Sequence, residues 1–393
     1  MSSPLQIFFI FLRLGLTGFG GPIAHLGYFR HEFVERKKWM DEKSYADLVA
    51  LCQFLPGPAS SQVGAAVGLS RGGLPGALAA WLGFTLPSAI FLILFALGFE
   101  YFNPSEAAQP GWLKGLKIVA VAVVAHAIWG MGKKLCPDFP RVLIAIGAAI
   151  GTIFIPGTIG QISMILLGAL LGYWLKESQT SSPQNSIQST VSKTTGSLML
   201  GVFLGLLFLL PLLATNSQNY TVKLFDGFYR AGALVFGGGH VVLPLLQAEV
   251  VPPGWVSDNA FLAGYGMAQA VPGPLFTFAA YLGAVSSEVP SGFIGGLISL
   301  IAVFLPSMLL IIGILPFWEQ LRQKRFIQRI MPGINASVVG LLLSAFYHPV
   351  WTSAIFSIYD LTLAITGFFL LQTLKWPSWS VVLFFALVAG VLL

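Results

Sequence analysis

Charge is the scarcest property of this chain: Asp, Glu, Lys and Arg make up 9% of its 393 residues. A soluble domain carries about 25%, so a water-covered globular surface is excluded. Cysteine is nearly absent too. Cys52 and Cys136 lie far apart with no metal or redox spacing, which excludes a disulfide framework. No nucleotide-binding glycine loop ending in Lys-Ser/Thr and no zinc-ligand set occurs. ATP hydrolysis within the chain is therefore not expected, and no clustered acid, base or metal ligands suggest an enzyme. The N-terminus, M-S-S-P-L-Q-I-F-F-I, lacks the basic region and cleavage site of a secretory signal and is expected to open the first membrane segment. Net charge is +6, which reads as Lys and Arg marking cytoplasmic loops rather than as a nucleic-acid footprint.

What is present is hydrophobic length. Apolar runs at 75–99, 115–132, 158–175, 197–214, 292–315 and 355–374 approach or exceed the ~20 residues that cross a bilayer. They are continuous, not alternating as in a membrane barrel. The expected fold class is an all-α polytopic membrane protein.

The chain also repeats itself. F-L-R-L-G-L-T-G-F-G-G at 11–21 matches F-Y-R-A-G-A-L-V-F-G-G at 228–238, pairing Arg13 with Arg230. Gln53-x-x-Pro56-Gly57-Pro58 matches Gln269-x-x-Pro272-Gly273-Pro274. Trp39 pairs with Trp255, Leu86-Pro87-Ser88 with Leu305-Pro306-Ser307, and Gly115 with Gly333, at offsets between 216 and 219. The organisation read from this is a first transmembrane repeat (1–176), a Ser/Thr/Gln-rich linker (177–196), an extra apolar segment with its connection (197–221) and a second repeat (222–393).

Equivalent loops differ in charge. Residues 27–43 carry Arg30, Arg36, Lys37, Lys38 and Lys43, whereas 244–259 has no Lys or Arg. Residues 133–141 carry Lys133, Lys134 and Arg141 against none in 347–354, and the bias reverses between 100–113 and 316–329. Opposite basic content implies opposite sides of the membrane, an inverted repeat. Inversion requires an odd number of crossings between Arg13 and Arg230, which the six apolar runs do not supply unless a Pro-Gly-Pro element crosses or one run fails to.

Each proline removes a backbone donor and costs about 3 kcal/mol inside a helix. In hydrocarbon, irregular backbone survives only where protein or a water-filled cavity surrounds it. Breaks at matched positions of two repeats are a pointer to a transporter's substrate site. The helix that restarts after Pro58 presents free N–H groups and a positive dipole end, a ready anion site, with Ser60 and Ser61 as added donors. After Pro274, Thr277 is the nearest comparable hydroxyl. Arg13 and Arg230 precede the glycine clusters Gly20-Gly21 and Gly237-Gly238 in apolar runs. A guanidinium there offers a planar fork for an oxyanion, and the glycines allow close backbone approach. Gln53 and Gln269 are candidate cavity-lining groups, and His240 is a candidate titrating group. Each feature has a plainer alternative. The breaks can be tight turns, the glycines can serve helix packing, and the arginines can snorkel or pair with a carboxylate. Glu249 reads as a solvated loop residue, and 30–43 as an amphipathic cytoplasmic segment.

These residues resemble the chromate ion transporter (CHR) family in its long, two-repeat form. The resemblance rests on F-L-R-L-G-L-T-G-F-G-G-P-I-A-H-L, Q-F-L-P-G-P-A-S-S-Q-V-G-A and their second-half partners, and covers nearly all but the linker. It implies an inner-membrane carrier that exports chromate by proton-coupled exchange, with a link to sulfate and no cofactor. Alternatives are a sulfate or other oxyanion carrier and an anion channel. Two fused halves suffice for a monomer, and small-residue helix surfaces also suit a homodimer.

Overall fold

The computed structural model describes residues 3–19, 21–101, 111–175, 191–236, 239–321 and 324–392. Gly20, Gly237, Gly238 and most of the 177–196 linker lie outside the described residues. Helices fill the rest, and five are long and apolar enough to span a bilayer among the described residues.

The first half runs α1 (Pro4–Thr17), α2 (Gly21–Arg30) with a π-helical turn (His31–Arg36), α3 (Glu42–Phe54), α4 (Ala59–Tyr101), α5 (Gly111–Leu135), α6 (Phe139–Phe154) and α7 (Gly157–Tyr173). α8 (Lys193–Asn216) joins the halves. The second half follows with α9 (Tyr220–Leu234), α10 (Val242–Val250), α11 (Asp258–Ala270), a 3₁₀ turn (Leu275–Thr277) and α12 (Phe278–Ala284). It closes with α13 (Gly292–Ile314), α14 (Trp318–Leu321), α15 (Arg325–Ala345), α16 (Ile358–Gln372) and α17 (Ser378–Leu392). Hydrophobic length alone misses α1, α6 and α17, whose 14–16 residues fall short of a full span.

α4 is two arms, not one rod. Gly73 has φ 64° and ψ −157°, which no helix contains. A Cβ built at Gly68 would collide with the carbonyl of Gly76, eight residues on. In a continuous helix those residues stand about 12 Å apart, so the chain reverses between them. The second half builds the same hairpin from α12 and α13, where a Cβ at Gly283 would meet the carbonyl of Gly295. Left-handed backbone occurs at matched places in both halves: Gly73 with Gly292, Gly57 with Gly273, and Lys38 with Gly254. The repeat is therefore written into the backbone as well as the residue pattern.

The two halves interlock. α5 packs mainly on α16 and α17, and its counterpart α15 on α6 and α7. The close approaches are exchanged too: Gly115 faces the carbonyl of Phe385, and Gly333 faces that of Gly168. Neither half closes its core alone. α8 packs one side on α9 and α13 and turns the other outward, where exposed Leu198, Leu204, Phe208, Leu209, Leu212 and Leu213 form a lipid-suited face.

Candidate functional site

The Pro-Gly-Pro segments are where the halves meet. α3 ends at Phe54 and α4 begins at Ala59, while α11 ends at Ala270 and the next turn starts at Leu275. Between them, Gly57 (φ 116°) and Gly273 (φ 107°) adopt backbone that only glycine takes easily. Gly57 N–H donates to the Val235 carbonyl at 2.7 Å, and Gly273 N–H donates to the Gly18 carbonyl at 2.9 Å. Each break thus caps the last turn of the first helix of the other half. A Cβ on Gly57 would lie 2.6 Å from Ser307 Cβ, and one on Gly273 2.8 Å from Ser88 Oγ. These reciprocal contacts bring the repeated Pro-Gly-Pro, Leu-Pro-Ser and post-arginine segments of the two halves together.

The first break is the more polar. Ser60, Ser61 and Gln62 are buried at the start of α4. Gln62 N–H donates to Pro58 O at 3.0 Å, leaving the amides of Ala59, Ser60 and Ser61 ahead of the first helical bond. Gln62 Nε2 donates to Pro56 O at 2.8 Å. Ser61 Oγ, Gln62 Oε1 and Thr85 Oγ1 are buried without a hydrogen-bond partner among the described residues. So is Gln269 Nε2, on the other half. Buried polar atoms left open are costly, and this number around a break fits a site that a polar ligand completes. The second break is flanked by Phe276 and Phe278, and Thr277 spends its hydroxyl on Pro274 O at 2.8 Å. Gln53 is exposed.

His25 enters this centre, which the sequence did not foretell. Its Nε2 lies 2.9 Å from the Gly18 carbonyl and its Nδ1 3.4 Å from Ser60 Oγ. It therefore touches the same carbonyl that accepts from Gly273. His240 instead lies 2.9 Å from the Tyr265 hydroxyl through Nδ1, and neighbouring Gly239 faces Pro22 of the first half.

Both arginines are ion-paired. Arg13 Nη2 lies 2.7 Å from Glu32 Oε2, and Arg230 Nη2 lies 3.0 Å from Glu249 Oε2. Each pair spans 19 residues. Glu249 is thus a paired group rather than a solvated loop residue. The surroundings differ. Glu32, buried, also holds Arg36 at 2.9 Å and Lys37 at 3.8 Å. Arg230 also holds Asp226 at 2.9 Å. The first cluster gathers three cations around one carboxylate, whereas in the second Arg230 stands between two carboxylates. Arg13 keeps half its side chain exposed (51%), so its outer face remains available. The glycine two residues after each arginine serves close packing: Gly15 faces the Phe84 carbonyl, and Gly232 faces that of Val303.

This arrangement of two interlocked, matching helical units around paired breaks belongs to membrane carriers in general. The chromate transporter family model matches the chain twice, over residues 5–173 and 222–391, and the chain belongs to that family in its long, two-repeat form. Membership places it among transporters rather than enzymes. An uncharacterized transporter of Methanocaldococcus jannaschii is 30% identical over 87% of this chain and 83% of its own length. A chromate transport protein of Pseudomonas aeruginosa is 28% identical over 87% of this chain and 80% of its own. A third relative, an uncharacterized transporter of Bacillus subtilis, is 30% identical over 33% of this chain but 71% of itself, the size of a single repeat. No solved structure matches the chain.

Proposed function

We propose that the protein is a secondary carrier of tetrahedral oxyanion dianions, chromate first and sulfate as its close analogue, working by alternating access at the paired Pro-Gly-Pro breaks of an inner membrane. The exchanged hydrogen bonds, Gly57 to Val235 and Gly273 to Gly18, carry this reading. Each half holds the other's break, so rocking one half against the other would reshape both breaks together. The open amides of Ala59, Ser60 and Ser61, with the Ser61 hydroxyl, supply donors to the anion. Arg13 draws it in from the cluster where three cations gather around Glu32. Chromate and sulfate share charge and tetrahedral shape, so the same donors suit both.

The halves are inverted in this reading. From α1 to α9 the chain passes through α1, α2, α3, the two arms of α4, α5, α6, α7 and α8, an odd number of helical arms. With a reversal at each connection, α9 runs opposite to α1. α8, about 36 Å long, has no counterpart and is the element that makes the count odd. Loop charge agrees, placing Lys133, Lys134 and Arg141 in the cytoplasm and the uncharged 347–354 segment outside. Moving a dianion outward down an inside-negative potential of about 100 mV releases about 4.6 kcal/mol, twice the ~2.3 kcal/mol per charge. Export is therefore the direction the potential favours, with proton entry as its counterpart.

Orientation is testable through native thiols. Cys52 is buried, while Cys136 is partly exposed in the 136–138 connection. A membrane-impermeant maleimide is expected to label Cys136 in inside-out vesicles and not in intact cells. Ser353→Cys in a Cys136→Ser chain should show the opposite. Burial raises the Cys136 thiol above its ordinary range. Because the thiolate reacts, labelling should be slow at neutral pH and rise steeply as pH increases. Both positions labelling from one side would exclude inversion.

Carrier action is tested by counterflow. Proteoliposomes loaded with unlabelled sulfate should transiently accumulate radiolabelled sulfate, and external chromate should suppress that uptake. Dissipation without an overshoot would favour a channel.

A further inference from the structure

The second-half arginine cluster differs from its first-half counterpart in a way that repeat symmetry does not require. Arg13 and Arg230 correspond, as do Glu32 and Glu249, each 217 residues apart. At the same offset, Asp226 stands where the first half has exposed Phe9. Pro252 and Pro253 replace the cationic Arg36 and Lys37, 216 residues earlier. The second half has thus gained a carboxylate and lost two cations around one conserved ion pair.

Asp226 lies one turn before Arg230 on α9 and is 3% exposed. Its Oδ2 accepts from Arg230 Nε at 3.0 Å, while its Oδ1 is buried with no hydrogen-bond partner among the described residues. An open carboxylate oxygen in that position is where a proton fits. Arg230 bonds Glu249 at 3.0 Å as well, so neutralising Asp226 leaves the guanidinium paired. Glu32 has no such freedom: protonating it would leave Arg13, Arg36 and Lys37 without the carboxylate they share.

Among the described residues, α9 itself adds Tyr220, Lys223, one turn before Asp226, and the Tyr229 hydroxyl, which donates to Phe203 O. α10 adds Glu249. α13, packed along α9, carries no titratable residue, and α8 carries only Lys193 at its first position. Behind α10, α7 ends in Tyr173, α15 begins with Arg325 and Arg329, and the 3₁₀ turn before α10 holds His240.

We propose that Asp226 is the proton-coupling carboxylate of this carrier. On the side where the cluster is accessible, Asp226 Oδ1 takes a proton from water and becomes the neutral acid. One negative charge beside Arg230 is thereby removed, and the proton is released to water on the other side. The anion and the proton then use opposite clusters: the three cations around Glu32 attract the dianion, and the open Oδ1 of Asp226 takes the proton. This rests on the oxyanion-carrier reading above.

The test uses the full-length protein in proteoliposomes, with radiolabelled sulfate as probe. Asp226→Asn is expected to keep sulfate counterflow near the wild-type rate and to lose gradient-driven accumulation by about tenfold or more, within the range of typical coupling energies. Asp226→Glu should retain both. Wild-type gradient-driven accumulation by Asp226→Asn would overturn the proposal, as would loss of both modes in a folded variant. A second readout is independent of transport. Infrared difference spectra of purified protein between acid and neutral pH should contain a carboxylic-acid carbonyl band that Asp226→Asn removes and Glu249→Gln keeps. If wild-type protein moves no sulfate or chromate yet the band behaves so, the carrier reading fails while the proton site stands. Persistence of the band in Asp226→Asn overturns the site itself.

Discussion

Gly57→Ala is expected to abolish transport. At φ 116° an alanine is strained whatever the space around it, at about 1–3 kcal/mol for a sparsely populated backbone conformation. Its Cβ would also sit 2.6 Å from Ser307 Cβ, and overpacking of that kind costs a further ~1–3 kcal/mol. Both costs fall on the segment that donates to Val235 and ties one half to the other. Adding Ser307→Gly removes the collision but not the backbone strain, so the double variant should recover part of the lost folded yield and flux. Gly273→Ala should be milder. Its new Cβ meets the Ser88 hydroxyl at 2.8 Å, and a hydroxyl can rotate away where a Cβ cannot. Measuring folded yield by size-exclusion chromatography and flux in proteoliposomes checks the order. Wild-type flux in Gly57→Ala would remove the break from the centre of the mechanism.

Arg230→Ala and Arg13→Ala should fail in different ways. Removing Arg230 strips Asp226 and Glu249 of the cation they share, at 5% and 9% side-chain exposure. Breaking a buried pair from one side costs about 3–5 kcal/mol, a large part of the ~5–15 kcal/mol that holds a domain folded. A sharp fall in melting temperature and folded yield is expected, and Asp226→Asn in the same chain should reverse much of it by deleting the buried Asp226 charge. Removing Arg13 leaves Glu32 with Arg36 and Lys37, so that variant should fold. Its defect should be transport, down about tenfold, the factor that 1.4 kcal/mol of lost anion attraction gives. Equal loss of stability in both variants would contradict the different pairing of the two clusters.

Much of this was legible before any coordinates. The paired motifs announce the repeat because breaks, glycines and ion-paired arginines in apolar runs tolerate few substitutes, whereas lipid-facing positions accept any apolar residue. Other parts were hidden for identifiable reasons. The Glu32 and Glu249 partners stand 19 residues from their arginines, a separation that matches no helical or strand period. Only the constant 217-residue register of the two pairs could have exposed them. The reversal at Gly73 is marked in the sequence by Ser70-Arg71-Gly72-Gly73-Leu74-Pro75, a polar, glycine- and proline-bearing turn, but it lies just ahead of the 75–99 run and is missed when only apolar length is read. The place of His25 is not legible in the sequence because its contacts, Gly18 O and Ser60 Oγ, come from a backbone carbonyl and from beyond the next two helices. Residue type advertises neither.

The fold also explains why the two breaks differ chemically despite their shared geometry. Gly57 and Gly273 must both bend the chain, so Pro-Gly-Pro is kept on both sides. The residues that follow need not match, and Ser60-Ser61-Gln62 faces Phe276-Thr277-Phe278 at the same positions. The first break is therefore followed by polar side chains and the second mostly by aromatic ones, so a ligand proposed at the breaks would meet unlike surroundings from the two halves.

The most direct measurement is radiolabelled chromate flux in proteoliposomes, with and without an imposed pH gradient and with sulfate as competitor. Saturable chromate movement that strengthens with the gradient and weakens with sulfate is the expected result. Folded protein that moves neither anion under any gradient would contradict the assignment of the paired breaks as an oxyanion site.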